Sequence, residues 1–215
     1  MSLGSQAIGP LLDGCSAVTF CCWVSPDALS GSSTLGDDLV NFQTGTGACV
    51  FGTLCSNTNA TNGAGQFGGR RTSASSRASR DGSSAVSVGS WNHLVGVMTF
   101  NSSYPDVYLN GSLNNGTGQV LTDSGAFVNS FISSHDGLGA TLGAAGPSSG
   151  TARMLDGRMA EFALWKVGLT QGEITALAGG CSPKRVRPAS LVCYWKLNGQ
   201  GSPEIEMMNR KHGTI

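Results

Sequence analysis

The chain has 215 residues, 13 basic and 13 acidic, and therefore no formal net charge. Charged residues make up 12% of it, against roughly 25% in an average soluble domain, while glycine occurs 32 times. This balance excludes a binder that works by neutralising phosphates, a highly charged disordered chain and a helical bundle rich in Ala, Glu and Lys.

Short β-branched or aromatic runs broken by Gly, Asn, Asp and Ser set the local pattern. Ser16 to Val24 (SAVTFCCWV) places Val18, Phe20 and Cys22 on one face. Leu39 to Phe42 and Ala48 to Leu54 read as short strands joined through Thr44-Gly-Thr-Gly47. Trp91 to Phe100 is the longest strand signal, and Asp106 to Leu109 follows it into Asn110-Gly111, a strong hairpin turn. Leu138 to Leu142 and Gly157 to Trp165 are further strands. In the latter, Arg158, Ala160, Phe162 and Leu164 form the set expected to face the core. Thr170-Gln-Gly-Glu173 is a capping box, so one short helix is expected near 170–178, ended by Gly179-Gly180. A proline-bounded connector, 181–188, then leads to a last strand, Leu191 to Leu197. Many short strands with turns between them predict an all-β fold, an antiparallel jelly-roll sandwich. The expected division is an N-terminal arm (1–14), the sandwich (15–198) and a C-terminal arm (199–215).

No run of roughly 18 or more apolar residues occurs, so no membrane-crossing helix is expected. Seven cysteines is an odd number, and Cys21 and Cys22 adjoin within a strand and point to opposite faces. Thiols acting as small apolar groups in a reducing cytoplasm are the expectation, since the start lacks the features of a secretory signal.

Three segments together resemble the laminin-G-like branch of the concanavalin A-like jelly rolls. They are Phe20-Cys-Cys-Trp-Val24; Trp91-Asn-His-Leu-Val95 with Val107-Tyr-Leu-Asn-Gly111; and Asp156 to Trp165 followed by Leu169 and Glu173-Ile174. The continuation through Ser182-Pro183 and Arg185-Val-Arg-Pro188 to Leu191-Val-Cys-Tyr-Trp195 resembles a variant met in tailed-phage virion proteins. The resemblance implies a non-catalytic virion protein, a decoration or cement protein on the capsid surface made in the host cytoplasm. Its expected partners are neighbouring capsid or other virion subunits, with a homo-oligomer as a further option. The alternative is a lectin-like carbohydrate-binding module whose partner is a glycan.

Reactive chemistry finds little support. Glucanases of related fold pair carboxylates on one strand, but Glu161 has none two or four residues away, and Glu173 serves the capping box. Gly63-Ala-Gly-Gln-Phe-Gly68 matches G-x-G-x-x-G without the helix a dinucleotide site needs. Cys49 and Cys55 lack the companions of a zinc site, and His93 in its strand reads as a packed histidine. No catalytic, cofactor or metal residue is therefore assigned. A structural calcium, common in such domains, would have Asp106, Asp136 and Asp156 as oxygen donors, although turn positions explain each of them. The candidate partner contacts are the basic residues Arg70, Arg71, Arg77 and Arg80, with Lys184, Arg185 and Arg187. They fit either an acidic partner surface or a solvated face. Trp23, Trp91, Trp165 and Trp195 all fall on strands, where core packing is the default and a sugar platform the functional option.

Overall fold

The computed structural model describes residues 12, 14–29, 37–44, 47–54, 63–70, 77–99, 102, 104–120, 140–144, 154–199, 204–205, 207 and 212–213. The strands are β1 (Ala17–Pro26), β2 (Asp37–Thr44), β3 (Gly47–Leu54), β4 (Ala64–Arg70), β5 (Arg77–Ala85), β6 (Asn92–Thr99) and β7 (Asp106–Leu109). They continue with β8 (Ser112–Leu113), β9 (Asn115–Val120), β10 (Ala140–Leu142), β11 (Gly157–Trp165), β12 (Leu191–Trp195), β13 (Glu204–Ile205) and β14 (His212–Gly213). One sheet runs β12-β11-β1-β6-β7-β8 and the other β10-β2-β3-β4-β5-β9, while β13 and β14 pair separately. The pairings between neighbouring strands are antiparallel, as in β1 with β6 and with β11. This is the expected sandwich, and the helix α1 (Gln171–Ala178) lies where the capping box placed it.

Alternation divides the first sheet between two apolar clusters. Val18, Phe20, Cys22 and Val24 face the other sheet with Leu94, Met98, Phe162, Leu164 and Trp195. Cys21, Val95, Ala163, Trp165 and Tyr194 face outward and are covered by Leu169 just before α1, Ile174 and Leu177 on it, and Val186 from the connector after it. A single sheet is thus buried on both sides, and the adjacent cysteines separate between its two faces as expected.

Two devices hold α1 on this outer face. Thr19 Oγ1 donates to Val167 O at 2.7 Å and accepts from Leu169 N at 3.0 Å, which fixes the entry to the helix. Along the first turns of the helix, Gly111 O accepts from Thr175 Oγ1 at 3.0 Å and from Gln171 Nε2 at 2.5 Å. Gly111 has a φ of +82°, and a Cβ there would lie 2.9 Å from Ala178 Cβ. The hairpin turn and the helix contact therefore both require glycine at this position.

Several elements depart from the sequence expectation. The basic stretch read as an arginine-bearing hairpin does form one, between β4 and β5, but the length of these strands and β9 were not expected, because their Gly and Ser content hides any alternation. The G-x-G-x-x-G match lies on β4 and its preceding turn, a structural role rather than a nucleotide loop. In β11 the expected inward set fails before Phe162: Met159, not Arg158 or Ala160, packs on the inner cluster. The cause is a bulge opposite Cys22, where the register shifts and Glu161 adopts a φ of +53°. Leu12, placed by sequence in an arm, is buried in the inner cluster. At the other end Met207 N donates to Tyr194 O at 2.8 Å, and Met207 packs on the outer cluster.

Candidate functional site

The bulge that spoils the β11 alternation also builds a cavity. Turning Glu161 outward puts its carboxylate beside Tyr194 of β12, whose hydroxyl donates to Glu161 Oε2. Ser182 hydrogen-bonds the same tyrosine, and burial together with the glutamate holds the phenol above its ordinary pKa. Across β1, Trp23 and His93 face each other at 5.1 Å between ring centroids, tilted by 47°. These side chains, with Cys21, Leu177, Gly180, Cys181, Pro183 and Lys196, line a cavity of about 260 Å³ on the outer face of the first sheet. Helix α1 and the connector close one side of it.

Electrostatically the cavity is mild. His93 is 1% exposed, and burial lowers its pKa to about 4, so it is neutral at ordinary pH. Its Nδ1 has no hydrogen-bond partner among the described residues. Burial, and after it the neighbouring Cys22, raise the pKa of Cys21 well above the ordinary thiol value. Cys22, on the other face, is pushed up to about 12 by burial. Both are therefore unreactive thiols. Lys196 is exposed at the rim, and Glu161 is the one carboxylate among the described lining residues. Among the described residues no cluster of three or more His, Cys, Asp or Glu could hold a metal.

The sequence profile of the concanavalin A-like lectin/glucanases superfamily matches residues 5–175. The chain belongs to this superfamily. No curated protein matches the sequence. Among solved structures, a Bacteroides ovatus protein described as a candidate carbohydrate binding protein superposes with a TM-score of 0.64 at 16% identity, covering 93% of this chain and 51% of that one. The superfamily domain thus spans about half the length of that relative. The CBM40 of a Ruminococcus gnavus sialidase, bound to α2,3-sialyllactose, gives 0.54 at 15% identity, covering 79% of this chain and 86% of that one. Domain 4 of an extracellular arabinanase from Geobacillus stearothermophilus, in complex with arabinotriose, gives 0.50 at 19%, covering 78% and 69%. At these identities the likeness is one of fold.

Within this superfamily member the basic candidates separate. Arg70 and Arg77 are paired neighbours at the end of the β4–β5 hairpin, and Arg71 lies outside the described residues. Arg80 is committed internally, to Asp106 at 3.1 Å and over the Tyr104 ring at 5.3 Å. Arg187 binds Glu173 at 2.5 Å. Lys184 and Arg185 are exposed on the turn that follows Ser182 at the cavity rim. Of the calcium candidates, Asp106 is also bonded to Asn115 at 2.8 Å, Asp156 is an exposed turn residue and Asp136 is outside the described set. Cys55 is also outside it. The tryptophans divide clearly: Trp165 and Trp195 are wholly buried, Trp23 is half-buried in the cavity wall and Trp91 is 45% exposed. Sequence reasoning named Trp23, His93 and Glu161 one at a time but did not bring them together; Ser182 and Tyr194 entered only within the virion-protein resemblance, and Lys196 only within the last strand. The available signal was the outward parity shared by Cys21, Trp23 and His93.

Proposed function

We propose that the chain is a non-catalytic carbohydrate-binding module and that it takes a sugar in the cavity on the outer face of its first sheet. One observation carries this reading: half-buried Trp23 shares a cavity of about 260 Å³ with the acidic Glu161 and the basic Lys196. A sugar ring has apolar C–H faces and a rim of hydroxyls that both donate and accept. An aromatic face flanked by one acceptor and one donor meets both needs. The volume lies just below the roughly 300 Å³ at which pockets for drug-sized molecules begin, which suits a small polar ligand. The carbohydrate-binding structures of like fold lend support.

Glycoside hydrolysis needs a second carboxylate, roughly 5–5.5 Å away for retention or 6.5–9.5 Å for inversion. The described lining offers Glu161 alone, with one oxygen already engaged by Tyr194. The capsid-surface role suggested by the Leu191–Trp195 continuation has no structural observation in its favour, so the carbohydrate reading is preferred.

A glycan array followed by isothermal titration tests the proposal. Saturable one-to-one binding is expected, weakened at least tenfold by Trp23→Ala with the melting temperature held. Absence of saturable binding across neutral and acidic glycans rejects it.

A further inference from the structure

We infer that the cavity is the closed end of a longer track, and that Trp91 with Arg158 forms a second sugar subsite, so that the domain grips the terminus of a linear glycan. This deepens the carbohydrate-binding reading and rests on it.

The register supplies the geometry. Trp23 lies between His93 of β6 and Ala160 of β11. Two residues further toward the open end, Arg158 pairs with Ser25, and Trp91 immediately precedes β6. Residues two apart share a face, so Trp91 and Arg158 flank the same outer surface about 7 Å along the strands from the Trp23–His93 pair. The Arg158 guanidinium stands 5.9 Å from the Trp91 ring centroid. It stays 65% exposed, its ion partner Asp27 no closer than 4.0 Å.

An exposed tryptophan is informative only if it is held in place, and this one is. Asn92, itself buried, donates from Nδ2 to Ser87 O at 2.9 Å and Ser90 O at 2.8 Å, and accepts from Ser87 N at 3.0 Å. Gly89 N adds a bond to Pro26 O at 2.8 Å. A turn pinned by four hydrogen bonds thus presents a large apolar ring to solvent, with a cation beside it. Such preorganisation is what a stacking platform requires, because little freedom is lost when a ligand settles on it.

The other end of the track is shut. Leu177, Gly180, Cys181, Ser182 and Pro183 wall off the cavity, leaving no described path for a chain to continue past Glu161 and Tyr194. One end unit would occupy the cavity, and the next would stack on Trp91 within reach of Arg158. The ligand class is therefore an unbranched oligosaccharide bound by its end.

The test is titration of the full chain with arabino-, xylo-, gluco- and galacto-oligosaccharides of one to five units and with α2,3-sialyllactose. For the series that binds, affinity should rise about tenfold between one unit and two or three, then level off. Trp91→Ala should return the longer ligands to single-unit affinity and leave single-unit affinity unchanged. Arg158→Ala should act in the same direction, and it decides the matter if Trp91→Ala melts early. On the long parent polysaccharide, no more than one protein should bind per chain end. Affinity independent of length, indifference to both substitutions, or many proteins per chain would overturn the second subsite while leaving the carbohydrate reading intact. Failure of every sugar to bind would remove both.

Discussion

His93 shows how one residue carries both structural and functional weight. Its imidazole is buried against Trp23, with one nitrogen unpartnered among the described residues, so charging it in the folded state is costly. Its folded pKa, about 4, lies below the roughly 6.5 of an unfolded histidine. The fold then gains nothing from His93 protonation. Its contribution to stability is complete above about pH 6.5 and is lost as pH falls toward 4, by up to about 1.4 kcal/mol per pH unit. Thermal melts of the wild type should drop steeply across that window, and melts of His93→Gln should be flatter there. Equal slopes would show that other groups govern acid sensitivity. Glu161 is the complementary case. A non-glycine residue in the left-handed region costs about 1 kcal/mol or more. Here the strained backbone turns a carboxylate out of the sandwich toward Tyr194.

Among the elements, α1 depends on its surroundings. Its eight residues are too few for a helix to persist alone, and only Ile174 and Leu177 are buried. The capping box, with Thr170 N and Oγ1 both bonded to Glu173 Oε2, satisfies the first turn, and Arg187 adds a charge partner for that glutamate. Thr170→Ala should cost about 1 kcal/mol in urea denaturation. It should weaken sugar binding only modestly, because Trp165 Nε1 still fastens the connector through Val186 O at 2.8 Å. A loss well above 2 kcal/mol would mean that the cap organises more than the helix. The helix was legible from Thr170 to Gly180 because capping is local chemistry. The bulge at Glu161 was not, since nothing in GRMAEFALW marks where a neighbouring strand forces an extra residue outward.

For the molecule as a whole, close approach between the sheets dictates glycine at two strand positions, Gly52 and Gly96. Phe67 of β4 packs against Phe20 of β1 at 4.9 Å between ring centroids. Space for its ring comes from Gly96 on the facing sheet and Gly52 on the adjacent strand, where an added Cβ would stand 2.5 Å and 2.6 Å away. Gly96→Ala should destabilise by about 1–3 kcal/mol through overpacking, and Phe67→Leu added to it should recover part of that loss. Additive losses in denaturation would refute the coupling.

Local rules therefore read a good deal from the chain alone. Strands such as β1, β6, β7 and β11, the helix, the Asn110-Gly111 turn and the opposed faces of Cys21 and Cys22 all follow from periodicity, capping and turn chemistry, which act over a few residues. The extents of β4, β5 and β9, short of large apolar side chains, escaped, because what makes them strands is the sheet they complete. The cavity escaped for the same reason. Trp23, His93, Glu161, Ser182, Tyr194 and Lys196 lie as far as 173 positions apart in the chain, and only strand pairing, one bulge and a helix folded back over the sheet bring them together.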